Sequence, residues 1–172
     1  MIIWLNGAFG SGKTQTALEL QRRLSPSYIF DPENGGFYIR DNIPSQIAAD
    51  DFQKHPIWRE LTYSMLKYID SNYDGTIIVP MTLVNSDYFE EIVGRLRKEG
   101  RLIRHFTLSA SPETLYSRLV SRGEDRNSWA AVQMERCLRG LEDGGFGHYV
   151  DTEHKSIAQV AEKIISLLET KE

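Results

Sequence analysis

A short apolar run, Ile2-Ile3-Trp4-Leu5, leads through Asn6 into Gly7-Ala8-Phe9-Gly10-Ser11-Gly12-Lys13-Thr14, after which Ala17, Leu20 and Leu24 recur at helical spacing. The eight residues from Gly7 to Thr14 fit G-x-x-x-x-G-K-[ST] without a mismatch. Average residue usage gives that match a chance on the order of 10⁻⁵ to 10⁻⁴ at any one position. Its surroundings, a buried strand before and a helix after, are the setting in which such a loop can cradle a triphosphate. Glycines let backbone N–H groups converge on the anion where side chains would obstruct. The helix start at Lys13 adds unpaired amides and the positive end of its dipole. On this reading Lys13 reaches the β- and γ-phosphates of ATP and the Thr14 hydroxyl ligates Mg²⁺. Gly7, Phe9, Gly10, Ser11, Gly12 and Gln15 are the remaining expected nucleotide contacts. The competing reading is a glycine-rich turn with an exposed lysine.

Further short apolar runs predict strands at Tyr28-Ile29-Phe30, Thr76 to Val79, Leu102 to Leu108 and His148-Tyr149-Val150, which makes five with the first. Between them apolar residues keep the period of a helix: Trp58/Leu61/Met65/Ile69, Phe89/Ile92/Val93/Leu96 and Ile157/Val160/Ala161/Ile164/Leu168. Ser111-Pro112-Glu113 and Ser156 supply helix starts. Strands alternating with helices require crossovers and a parallel sheet, so the expected class is α/β in a single domain over residues 1–172.

Composition excludes several functions. The net charge is −4, so no global basic field gathers nucleic acid or anionic lipid, and any phosphate binding is local. No stretch approaches the roughly 18 apolar residues that span a bilayer, and the opening run lacks a basic leader, so a cytoplasmic protein without an integral membrane segment is expected. The single cysteine, Cys137, has no disulfide or metal-knuckle partner and is expected in the core. His55, His105, His148 and His154 lack metal-ligand spacing.

The alternation breaks twice. Residues 31–56 are polar and turn-rich, with Gly35-Gly36 and three prolines; residues 122–147 are heavily charged. Such excursions over an α/β scaffold are substrate-binding insertions, lids or exposed connections. The guanine-reading N-K-x-D and the D-x-x-G switch are both absent, which counts against a GTPase, and the length leaves no room for the extra modules of a motor or ring ATPase. The chain resembles P-loop nucleoside/nucleotide and small-molecule kinases, whose three-layer fold carries a five-stranded parallel sheet, a substrate-side insertion after the second strand (here about residues 32–72) and an arginine lid after the fourth (about residues 122–128). A narrower likeness lies in Ile2-Ile3-Trp4, Asn6 to Thr16, Asp31-Pro32-Glu33-Asn34 and Pro80-Met81-Thr82, taken in that order. These are similar to the tunicamycin resistance protein family, which implies an ATP-dependent phosphotransferase, or an ATP-dependent sequestering binder, for tunicamycin or a related nucleoside-like compound.

Ligands gather at the carboxyl ends of parallel strands, and kinases of the resembling class place a carboxylate after the second strand. Asp31 is therefore the first candidate for general base and Glu33 the reserve, the alternative being a turn cap or a solvated acid. The acid that many P-loop proteins carry at the end of the third strand is missing from Ile77-Ile78-Val79-Pro80-Met81-Thr82. Asp31 is thus also a candidate to hold the metal, with Glu33 as base. Glu33, Phe37, Arg40, Trp58, Arg59 and Met81 are candidate acceptor contacts, since aromatic faces and guanidinium groups suit a flat base or charged sugar; Trp58 equally fits a core helix stripe. Arg118, Arg122 and Arg126 recur at intervals of four, which on a continuing helix puts them on one face to close over the phosphates, or else leaves them solvated beside Glu124 and Asp125. Gly123 suits a hinge. Thr152, after the last strand, resembles the residue that flanks adenine in such kinases.

Overall fold

Five strands, β1 (Ile2–Gly7), β2 (Ser27–Ile29), β3 (Thr76–Pro80), β4 (Ile103–Ser109) and β5 (His148–Asp151), form one parallel sheet in the order β2-β3-β1-β4-β5. The computed structural model describes residues 1–125, 127–143 and 145–170. Every apolar run read as a strand falls on one: β1, β3 and β4, buried on both faces, lie between layers of helix, and β2 and β5 are the more exposed edges. β1 is the middle strand and buried along its whole length. It pairs with β3 from Ile2 opposite Ile77 to Leu5 opposite Pro80, and with β4 from Ile2 opposite Ile103 to Gly7 opposite Leu108.

The helices are α1 (Lys13–Arg23), α2 (Glu33–Asn42), α3 (Pro56–Asn72), α4 (Ser86–Phe89), α5 (Arg95–Lys98), α6 (Pro112–Val120), α7 (Trp129–Asp143) and α8 (Ile157–Glu169); a π-helical turn, Glu90–Gly94, joins α4 to α5. Alternate residues of the sheet serve two cores. Ile3, Leu5, Ile78, Phe106 and Leu108 pack under Ala17 and Leu20 of α1 and Val160, Ala161 and Ile164 of α8. Ile2, Trp4, Ile77 and Val79 pack under Trp58, Tyr63 and Leu66 of α3 and Ile92, Val93 and Leu96. Each fully buried aliphatic side chain contributes about 1.5–3 kcal/mol, so the two faces hold the sheet as the middle of three layers. A third, smaller cluster joins Ala8 of the loop to Leu115 and Leu119 of α6 and Met134 and Cys137 of α7. Cys137 is indeed buried. The expected helix starts are present: the Ser111 hydroxyl accepts from Thr114 N–H at 3.2 Å, and Ser156 and Gln159 form a reciprocal capping box.

Three expectations change. The polar stretch after β2 is not all turn: α2 runs through Gly35 and Gly36, and Ser45–Ile47 and Phe52–Lys54 are short 3₁₀ turns. A Cβ on Gly36 would lie 2.5 Å from the Phe52 ring, so this glycine marks close packing of helix against ring. The charged stretch after α6 contains the long helix α7, whose buried residues Met134, Cys137 and Leu141 keep helical spacing among the charges. Finally, α6 stops at Val120 and Gly123 takes φ +86°. Arg118 and Arg122 therefore do not share one continuing helix face; Arg126 lies outside the described residues. No helix among the described residues is long and apolar enough to cross a membrane.

Candidate functional site

The order of the sheet fixes where a ligand can sit. From β1 the chain passes to β2 and β3 on one side, then crosses to β4 and β5 on the other. The carboxyl end of β1 is the point where connections diverge and leave a crevice, and the loop Gly7 to Gly12 fills its floor. Gly10 has φ +82°, and a Cβ there would fall 2.6 Å from the Leu115 carbonyl oxygen; only glycine fits where the loop meets α6. The loop is tied from below. The Asn6 carboxamide, fully buried, accepts from Gly7 N–H and Leu83 N–H at 2.9 Å each and donates to the Leu83 carbonyl at 2.7 Å. The Thr82 hydroxyl donates to the Gly7 carbonyl at 2.7 Å. Three of these bonds lock the segment after β3 to the start of the loop, and the fourth, within it, fixes the Asn6 carboxamide.

Two hollows lie over the loop. One, of about 210 Å³, is lined by Phe9, Gly10, Gly12, Lys13, Thr14, Asp31, Glu33, Pro80, Thr82 and Arg122. The other, of about 240 Å³, is lined by Gly10, Ser11, Gly12, Gln15, Arg118, Ser121, Arg122, Thr152, Lys155, Ile157 and Val160. The sequence thus brings Lys13, Thr14, Asp31, Glu33 and Arg122 around one cavity, and Ser11, Gln15, Arg118 and Thr152 around its neighbour. Arg122, Gly10 and Gly12 are common to both. Arg118 donates to the Thr152 hydroxyl at 3.0 Å and carbonyl at 2.7 Å, bracing α6 against the turn after β5. Glu153 strengthens the same joint by accepting from Ser111 N–H at 2.7 Å and from the Thr114 hydroxyl.

The ammonium of Lys13 donates to the carbonyls of Gly7 and Ala8 at 2.8 and 3.0 Å, leaving one of its three N–H directions for an anion. Burial pulls its pKa down to about 8, with Arg122 acting in the same direction and Cys137 and Glu33 opposing. Glu33 is pushed above the ordinary carboxylate range, first by burial and then by the neighbouring Asp31, with Lys13 pulling the other way. Asp31 accepts from Glu33 N–H at 3.0 Å and so caps the start of α2. The same residue lines the hollow over the loop, so its bond to Glu33 N–H does not take it out of the cavity.

The donor set fits a triphosphate with magnesium. Ser11 Oγ is buried without a hydrogen-bond partner among the described residues, and Ser11 lines the second hollow. Thr14, an exposed residue, lines the same hollow as Asp31, while no group of three or more His, Cys, Asp or Glu among the described residues could hold a metal by itself. A hydroxyl and one carboxylate suit Mg²⁺, which keeps several waters and takes its other oxygens from phosphate.

The expected acceptor residues divide. Phe37 and Met81 line hollows on the Glu33 side, and Arg40, which stacks on the Phe37 ring at 5.1 Å, lines the outer one. Trp58 does not reach a ligand: it is fully buried in the core under α3 and donates from Nε1 to the Pro32 carbonyl at 2.9 Å. Its apolar-stripe position decides its place, and it holds the Asp31–Glu33 turn from below. Arg59 is also occupied, donating to Glu91 and to the Gln53 carbonyl at 2.6 Å each and stacking on Tyr88. Sequence reasoning missed Asn6, Thr82, Trp129 and Arg136. Asn6 and Thr82 were in view as part of matching segments, but their partners lie more than 70 residues away. The spacing Met134/Cys137/Leu141 was the available signal for α7, and hence for Trp129 and Arg136 on it.

A central parallel strand, a glycine loop gripping its own lysine and a helix start behind it define a nucleotide-binding P-loop protein of kinase-like fold. Residues 3–137 match the AAA domain family. The structure of the Deinococcus radiodurans tunicamycin resistance protein superposes with a TM-score of 0.82 at 32% identity, covering 99% of this chain and 96% of that one. The chain belongs to the AAA domain family and to the tunicamycin resistance protein family. A gluconokinase from Sinorhizobium meliloti (TM-score 0.65, 16% identity, 95% and 89% covered) and a deoxyadenosine kinase from M. mycoides (0.62, 18%, 98% of each) share the fold. No curated protein matches in sequence.

Proposed function

We propose that this chain is an ATP:small-molecule phosphotransferase whose acceptor is tunicamycin or a related nucleoside-like compound, acting in the cytoplasm as a single domain over residues 1–172. The observation that carries the reading is the convergence of Lys13, Thr14, Asp31, Glu33 and Arg122 on one hollow at the end of β1. The acceptor class comes from the family. Residues 32–72 serve as the substrate-side insertion and residues 122–128 as the lid.

The roles follow from position. Loop amides and Lys13 hold the terminal phosphates, and Arg118, Thr152, Ser11 and Gln15 flank the nucleoside end. Thr14 and Asp31 hold Mg²⁺, which supplies charge neutralisation on the phosphates. Arg122, free to swing at Gly123, closes over the transferring group with Arg126. Glu33, whose carboxyl burial and Asp31 push above the ordinary range, faces the acceptor hydroxyl. The hydroxyl oxygen bonds to the γ-phosphorus as the bond from that phosphorus to the β–γ bridging oxygen breaks, the electron pair leaving with ADP. The hydroxyl proton passes to Glu33 and on to solvent. Phosphoryl transfer has a loose transition state, so the carboxylate chiefly positions the hydroxyl. This reverses the preference that chain position alone gives Asp31: one of its carboxylate oxygens accepts from Glu33 N–H, and it shares the lining of the hollow with Thr14, which suits the metal role.

The test incubates protein, Mg-ATP and tunicamycin, or uridine and other nucleosides, and looks for a gain of one phosphoryl mass that Glu33→Gln reduces about 10²-fold or more. Absence of product from every acceptor overturns the reading. Pro80 and Thr82 standing where a third-strand acid is absent favour a second one, sequestration of the compound with ATP as a conformational ligand. It predicts tight binding without product, and protection of cells that scales with protein amount. Fast turnover on a common nucleoside would instead mark a housekeeping kinase.

A further inference from the structure

Two acids separate the phosphate hollow from two different rooms. Past Asp31 lies a hollow of about 400 Å³ along the edge strand β2, lined among others by Tyr28, Phe30, Tyr38, Leu61 and Met65. Past Glu33 lies one of about 130 Å³, which shares Phe9, Glu33 and Thr82 with the phosphate hollow. That second room continues through Phe37, Asp51, Phe52 and Trp129 into an outer chamber of about 340 Å³.

Building on the phosphotransfer reading, we propose that Phe37, Phe52 and Trp129 form an aromatic slot that takes the flat ring of the acceptor, and that Trp129 is its specificity-determining residue. Trp129 lines both chambers, yet 57% of it is exposed; Phe37 is 40% exposed. Large apolar faces left open toward one hollow have a use when a flat apolar ligand covers them. Phe37 and Phe52 meet edge to face at 6.1 Å, so the slot already has a rigid wall. Trp129 itself rests edge-on against Phe9 of the phosphate loop, with ring centres 5.2 Å apart. The ring of the acceptor and the loop that holds the donor are thereby in contact with one side chain.

Polar groups sit at the rim of the slot. Arg136 on α7 pairs with Asp51 at 3.0 Å, and Asp51 also accepts from Gln53 N–H at 2.9 Å. The two segments they join enclose the chambers, α7 on one side and the 3₁₀ turn Phe52–Lys54 on the other. A nucleoside laid in this space would have its base among the aromatic side chains and its sugar toward Glu33. The Asp31-side room lacks these features: α7 does not line it, and its one shared residue with the phosphate hollow is Asp31, already engaged with Glu33 N–H.

Intrinsic fluorescence and calorimetry test the slot. Trp4 and Trp58 are fully buried, so a ligand that covers Trp129 shifts emission to the blue in the wild type and leaves the Trp129→Phe variant's spectrum unchanged. Trp129→Ala should weaken tunicamycin and uridine binding about tenfold or more, the scale of lost base–aromatic stacking. Trp129→Phe should restore most of that loss, and Mg-ATP affinity should change far less than acceptor affinity in both. Unaltered tunicamycin binding by Trp129→Ala, or a loss that appears in Tyr38→Ala instead, overturns the slot and moves the acceptor to the Asp31 side. Wild-type protein that binds Mg-ATP but neither tunicamycin nor uridine also overturns it. Failure to bind Mg-ATP at all is a different result: it removes the phosphotransfer reading, and the slot with it.

Discussion

The proposed phosphate side of the site and the proposed acceptor side are made in opposite ways. From Ile2 to Arg23 one unbroken segment supplies β1, the loop and α1, and with them the loop amides, Lys13 and Thr14, five of the ten residues lining the hollow over the loop. The acceptor side is assembled from α2, the 3₁₀ turns, the residues after β3 and α7; its Asp51–Arg136 pair spans 85 residues of chain. Backbone amides do the work on the first side, so its requirements are glycines and a helix start. On the second, side chains must meet across the fold. A phosphate cradle is therefore a local property of sequence, whereas an acceptor pocket is a property of packing, and substitutions should hurt the two in different currencies.

The largest expected effect comes from Lys13→Met, which keeps the buried stem and removes the charge. Turnover should fall about 10²–10³-fold, the loss typical of one preorganised donor, while the nucleotide-free protein melts no lower than the wild type. The reason is the sign of the pKa shift. Burial lowers Lys13 from 10.5 to about 8, so its charged form costs stability in full below pH 8, and the cost eases as pH rises toward 10.5. For the same reason Mg-ATP binding should take up protons at pH 8.5 and almost none at pH 6.5, read by calorimetry in buffers of different ionisation heat. Release of protons at pH 8.5 would break the account of Lys13.

Gly10→Ala should strike the fold and the cradle together. Its φ of +82° and the Leu115 carbonyl 2.6 Å from the new Cβ predict a loss of about 3 kcal/mol. In a chain of this size that lowers the melting temperature by roughly 6–12 °C. The smallest effect tests the other side of the comparison. Asp51→Asn keeps the cap on Gln53 N–H but removes the charge pairing with the half-exposed Arg136, so stability should fall by less than about 1 kcal/mol. Acceptor KM should rise a few-fold with Mg-ATP KM unchanged, and the opposite split would erase the distinction between the two sides.

The same division explains what could be read from the residues in order. The loop, the five strands and the caps at Ser111 and Ser156 are local patterns, and each appears where the pattern lies. Gly35 and Gly36 resembled a turn because a glycine pair signals either a bend or a close approach, and only the Phe52 ring resolves which. Charges hid the helical spacing of α7. Trp58 and Arg59 were plausible ligand contacts by residue type, but their hydrogen bonds to Pro32, Gln53 and Glu91 consume them. Thr82 and Trp129 matter through partners that no spacing rule connects.

The central claim is that the segment from Gly7 to Thr14 grips a nucleotide triphosphate through its amides and Lys13. Calorimetric titration of the folded wild-type protein with Mg-ATP tests it most directly. The account predicts saturable, stoichiometric binding that Lys13→Met weakens sharply; no heat of binding at any concentration up to millimolar, from protein shown to be folded, would contradict it.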